Sequence, residues 1–135
     1  MTLLQHQLTE TVLLLFIFIP FLQSGIDKII DWNGNLSWLK SHFAKSPLKN
    51  MVPLLLGIIL IMEIASAICA LWGLYELWVN HSHLIALYAA SLSCVTLLML
   101  LLGQRVAKDY DGARTIVIYL VPAVFLLFLL EKSML

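Results

Sequence analysis

The chain has 135 residues, of which 61% are hydrophobic and 12% charged, and its mean hydropathy of +0.96 lies far above that of a soluble domain of similar size. Eight basic and eight acidic residues cancel to zero net charge, which argues against a nucleic-acid partner. Water is not the main solvent of such a chain, so its elements are read first as membrane crossings.

About 20 mostly apolar residues cross the hydrocarbon core as a helix, and four runs meet that requirement. They cover about 8–30, 53–77, 84–105 and 114–131. The first, around "TVLLLFIFIPFLQSG", lacks a basic segment before it, and Gln23, Asp27 and Lys28 stand where a small-residue cleavage site would be needed; it is therefore read as a retained crossing. The expected fold is a single all-α domain, residues 1–135, built as an integral membrane antiparallel four-helix bundle. Pro20 and Pro122 interrupt the first and last crossings near mid-membrane, where each frees a carbonyl and permits a kink.

Between the first two crossings, "NGNLSWLKSHFAKSPLKN" carries Leu36, Leu39 and Phe43 at helical spacing, with Lys40, His42 and Lys45 pointing elsewhere and Ser46-Pro47 ending the pattern. This predicts a short amphipathic helix lying on the membrane surface, either as a cap on the bundle or as a docking surface. Seven of the eight basic residues, Lys28, Lys40, Lys45, Lys49, Arg105, Lys108 and Arg114, fall in or beside loops 1 and 3, and only Lys132 falls on the other side. The positive-inside rule then makes loops 1 and 3 cytoplasmic and puts both termini outside. Trp32, Trp38 and Tyr110 near the basic face, and Trp72, Tyr75, Trp78 and Tyr88 near the other, are read as aromatic belts.

Glu63 lies within "LIMEIASAIC", about 15 Å into the second crossing by helical rise and too deep to reach water. Glu63, Ser66, Ala70 and Gly73 share one face, and Ala65, Cys69 and Gly73 form an adjacent line of small residues, so this side should face other helices. Unless a cation approaches, desolvation makes a protonated, hydrogen-bonding Glu63 the expectation, with Ser93, Gln23 or a backbone carbonyl as partner. An intramembrane acid is also a candidate for a ligand site or, less well supported, for proton or solute transport; helices two to four offer no second ionisable group at that depth.

At the basic interface, Asp27 and Lys28 close the first crossing while Gln104, Arg105, Lys108 and Asp109 close the third. The expected arrangement is a charged lid in which Asp27 meets Arg105 or Lys108 and Lys28 meets Asp109. The same cations and amides could hold a quinone carbonyl, a lipid phosphate or a small acid. "DYDGAR" echoes the opening of a calcium loop but lacks the distant Glu; the third crossing is expected to end here, with Gly112 permitting the reversal and Arg114 starting the fourth.

His6, His81 and His83 fall at the outer ends and His42 in the inner loop, so no facing pair exists at depth to ligate haem. His81 and His83 lack a third ligand and are read as solvated; neither haem nor metal is expected. Cys69 and Cys94 lie at different depths and form no C-x-x-C pair, so both are read as packing residues.

Taken together, "FLQSGIDKI", "GIILIMEIASAICALWGL" and "GQRVAKDYDGA" followed by a short last helix resemble the DoxX family of small bacterial four-helix membrane proteins, over nearly the whole chain. The resemblance implies a compact antiparallel bundle in the bacterial inner (cytoplasmic) membrane. It also implies an accessory role beside quinol-oxidising or thiol and oxidant-defence systems. No nucleophile with a base, metal set or phosphate loop argues for catalysis. The expected function is a small accessory subunit that binds a partner membrane protein or a second copy of itself, a membrane lipid or a quinone. Its polar anchors would be Glu63, Gln23, Asp27, Lys28, Arg105, Asp109 and Tyr119. The alternative is a subunit of a quinone-linked oxidoreductase, with its cofactor near Gln23, Glu63 and Tyr119.

Overall fold

A computed structural model describes the backbone of residues 2–134 and the side chains of residues 7–134. His6 lies outside the described side chains. Five helices follow one another: α1 (Thr2–Ile30), α2 (Trp32–His42), α3 (Val52–Val79), α4 (Leu84–Val106) and α5 (Tyr110–Ser133). α1, α3, α4 and α5 are each long and apolar enough to cross a bilayer, as a multi-pass membrane protein requires. Ile19, Ile61, Ile118 and Val121 point outward, the inverse of a soluble bundle's surface.

The four long helices run antiparallel in chain order, α1 on α3, α3 on α4 and α4 on α5, and α1 meets α5 over a smaller area to close the ring. Spacing explains the packing. Along α1, Gln7, Glu10, Leu14, Ile17, Phe21 and Gly25 recur every three or four residues and are all buried. On α4 the buried face is mostly small, with Ala86, Ala89, Ala90, Ser93, Cys94 and Thr96, which allows close approach. At Gly73 of α3 a Cβ would lie 2.7 Å from the Ala86 Cα, so these two helices touch through backbone. Gly25 of α1 receives the Ile64 side chain of α3 in the space a Cβ would fill. Cys94 is buried, Cys69 is half-buried and both are free.

The helices run longer than the sequence reading, most of all at the starts of α1, at Thr2, and α5. α5 begins at Tyr110, four residues before the expected start, because Asp109 acts as its N-cap and accepts from the Gly112 N–H at 2.9 Å. The chain reverses at Lys108, which has φ 61°, and not at Gly112, which lies inside the first turn of α5. Gly112 is constrained for another reason: a Cβ there would lie 2.6 Å from the capping Asp109 carboxylate. The amphipathic helix is present as α2. It starts one residue after α1 and is capped by Asp31, whose side chain accepts from Gly34 N–H. Leu36, Leu39 and Phe43 of this segment are only half-buried, Lys40 and Lys45 are exposed, and no residue of α2 is fully buried.

Candidate functional site

Glu63 faces the bundle interior and is 3% exposed, together with Ser66, Ala70 and Gly73 on the same buried face. Its partner is a cation. The Lys28 Nζ lies 2.9 Å from Glu63 Oε1, and Ser24 Oγ donates to Glu63 Oε2 at 2.8 Å. Lys28 also donates to Ser24 Oγ at 2.6 Å, so the three side chains close a triangle of charge-assisted bonds. A protonated Glu63 is the expectation only without a nearby cation, and the close approach of α1 and α3 at Gly25 and Ile64 brings Lys28 within reach. Lys28 has a four-carbon stem that carries its ammonium inward from the end of α1.

The expected partners of Glu63 lie elsewhere. Ser93 is fully buried and its Oγ has no hydrogen-bond partner among the described residues, and Gln23 is exposed at the α1–α5 cavity without a bond to Glu63. One turn above Glu63, Ser66 and Thr96 approach at 3.4 Å while Thr96 also donates to the Leu92 carbonyl, which continues the polar strip between α3 and α4.

The expected charged lid is not formed. Lys28 is turned to Glu63, and Asp27 accepts from Asn35 Nδ2 at 3.2 Å, since α2 folds back directly after α1. Arg105 is exposed and stacks over the Tyr110 ring at 4.9 Å. Asp109 caps α5 and lies 3.6 Å from His42 Nε2, which bonds Gln104 Oε1 at 2.8 Å. His42 therefore points into the bundle end and ties α2 to α4, where the sequence reading had it pointing away; Trp38 stacks on its ring at 4.6 Å.

A cavity of about 750 Å³ lies between α1 and α5, floored by α3 and α4. Its walls are mainly apolar, including Phe16, Pro20, Phe21, Leu97 and Ile116. Its polar groups are Gln23, Ser24, Asp27, Lys28, Glu63 and Tyr119. Five of the seven sequence-predicted anchors thus meet in one cavity, and Arg105 and Asp109 lie outside it. Pro20 borders this space and Pro122 does not. The Gln23 amide and the Tyr119 hydroxyl have no hydrogen-bond partner among the described residues, although the Tyr119 ring packs at 5.8 Å on Phe16. Ser24, which was not among the anchors, completes the site; its signal is the i, i+4 spacing to Lys28 on one face of α1.

A second cavity, of about 360 Å³, lies beneath α2 against the first turns of α3 and the last turns of α4 and is lined by Leu39, Phe43, Leu55, Leu56, Ile59 and Met99 among others. Lys28 and Leu100 line both cavities.

The sequence reading missed a buried acid at the opposite end. Glu10 of α1 is 0% exposed; its Oε2 faces His83 Nε2 at 3.3 Å, and Ser133 Oγ of α5 donates to Oε1 at 3.0 Å. One turn earlier, Gln7 Nε2 donates to the Leu77 carbonyl of α3 and lies 3.3 Å from His81 Nδ1. His83 is therefore a packing and pairing residue, not a solvated one, while the His81 backbone takes the left-handed φ of 52° that folds the connection over α1.

Compared with protein-family models, curated proteins and solved structures, the chain finds no match.

Proposed function

We propose that the protein is a small, non-catalytic subunit of the bacterial inner membrane that holds a membrane amphiphile, a lipid or a quinone, in the cavity between α1 and α5. The observation that carries this reading is the Lys28, Ser24 and Glu63 triangle at the wall of a large, mainly apolar cavity, with Gln23 and Tyr119 facing the same space and lacking hydrogen-bond partners among the described residues. Sites of this kind hold a ligand's tail on apolar walls and orient its head with a few polar groups. The smaller contact area between α1 and α5 gives the tail a side entrance from the bilayer. The resemblance to the DoxX family supports an accessory role beside a partner membrane protein or a second copy of the chain. The concentration of basic residues in loops 1 and 3 supports a cytoplasmic position for that end.

The test is solvent extraction and mass spectrometry of protein purified from membranes in mild detergent. Wild type carries a stoichiometric lipid or quinone, and Gln23→Leu with Tyr119→Phe lowers its occupancy without lowering thermal stability, since neither side chain has a polar partner to lose. Ligand-free wild type, or occupancy unmoved by both substitutions, overturns the reading. A quinone in the extract would favour the role in a quinone-linked oxidoreductase.

A further inference from the structure

We infer that the ligand is a two-chained phospholipid seated astride Lys28, with one acyl chain in the α1–α5 cavity and the other beneath α2. This rests on the amphiphile reading above and narrows its chemistry. The two cavities are separate apolar spaces that share the side chains of Lys28 and Leu100. A shared cation between two mainly apolar furrows complements a molecule with one anionic head and two tails; a single-tailed ligand fills only one furrow.

The dimensions agree with this assignment. Along α1 the larger cavity runs from Phe16 to Ile30, about 20 Å by helical rise, which accommodates a chain directed toward the bilayer centre. The smaller spans from Val52 to Ile59 on α3, about 10 Å, and takes a shorter length of the second chain. Both meet near the end of α1, the end that carries the basic loops, where a bilayer places its head groups.

The head-group chemistry follows from Lys28. An ammonium has three N–H donors; Lys28 donates one to Ser24 Oγ, and its charge faces Glu63 Oε1 as an ion pair at 2.9 Å. A remaining N–H is available to a phosphate oxygen, and Lys40 and Lys45, exposed on the same connection though lining neither cavity, add positive potential that favours an anionic phosphodiester over a neutral head. The state of α2 is a separate observation pointing the same way. No residue of α2 is fully buried, and Leu39 and Phe43 lean over the smaller cavity half-covered. A chain beneath them supplies the missing cover.

The test uses full-length protein stripped of lipid and titrated with three probes: phosphatidylglycerol, its single-chain lyso form, and ubiquinone. The inference predicts that phosphatidylglycerol binds tighter than the lyso lipid by about tenfold or more. Gly103→Leu should abolish that preference and leave lyso-lipid binding intact. Gly103 lines only the smaller cavity, where a Cβ would meet nothing nearer than Phe43 at 3.6 Å, so a larger side chain there fills the second furrow alone. Leu55→Trp is a second filler should Gly103→Leu fold poorly. Equal affinity for the two lipids, or a preference that survives filling, overturns the two-chain assignment while the amphiphile reading stands. A preference for ubiquinone over both lipids does the same. If wild type binds none of the three probes, both fall together.

Discussion

Glu10 and His83 meet at 3.3 Å across the end of the bundle that carries the α3–α4 connection, joining α1 to the start of α4, and no part of Glu10 is exposed. Ser133 supplies the other carboxylate oxygen with a donor, so one buried acid ties together three helices. Removing the imidazole leaves Oε2 with nothing, since it has no hydrogen-bond partner of its own. His83→Ala is expected to cost about 1–3 kcal/mol, the penalty for a buried polar group stripped of its partner. His83→Gln, which retains a donor, should recover much of that loss. Thermal unfolding in detergent, followed by the loss of monodisperse protein, checks the order wild type, Gln, Ala; equal midpoints for Ala and wild type would remove the clasp from the account.

Toward the α2 end of the bundle, Lys28 and Glu63 form the complementary case. Breaking a buried pair by deleting one partner strands a charge, and Lys28→Met is expected to destabilise by about 3–5 kcal/mol. Replacing both, as in Lys28→Met with Glu63→Leu, should restore most of the stability while the bound amphiphile is lost. A double-mutant cycle with denaturation and ligand occupancy as paired readouts separates the structural from the binding contribution. Additive losses would show that the two side chains act independently.

Gly73 and Ala86 provide a test that involves no charge. The α3 and α4 backbones touch there, so Gly73→Val must push the helices apart, and about 1–3 kcal/mol or more of overpacking cost is expected. Gly57→Ala on the same helix meets only Trp32 at 3.9 Å and should be near neutral. Comparing the two variants by thermal unfolding checks the register of the bundle.

The long helices, their antiparallel order and the inward face of Glu63 are legible in the sequence because apolar run length and 3.6-residue spacing report directly on crossings and buried faces. The Lys28 contact is not. As an interfacial cation it counts toward topology, and only the Gly25 and Ile64 approach, a property of the packed pair, reveals that its ammonium turns inward. Glu10 was hidden because it lies two residues inside the expected start of the first crossing, where water is normally near. Its signal was present: Gln7 and Glu10 continue the stripe of Leu14, Ile17 and Phe21, so a face apolar for three turns predicts that the polar residues extending it are buried as well. The loop pairings at the inner end depend on where α2 folds back, which a one-residue joint at Asp31 sets and hydropathy does not encode.

The Lys28 and Glu63 pair also bears on how the nascent chain enters the bilayer. Its cation belongs to the first crossing and its anion to the second, so the ribosome delivers the ammonium before the carboxylate is made. An unaccompanied charged residue at a helix centre costs about 2.5–3.5 kcal/mol at the translocon. Partition of the second segment is therefore expected to be assisted by a first segment that already carries Lys28, and Lys28→Met should lower the fraction of chains whose second crossing inserts, as a glycosylation-site insertion assay reads it.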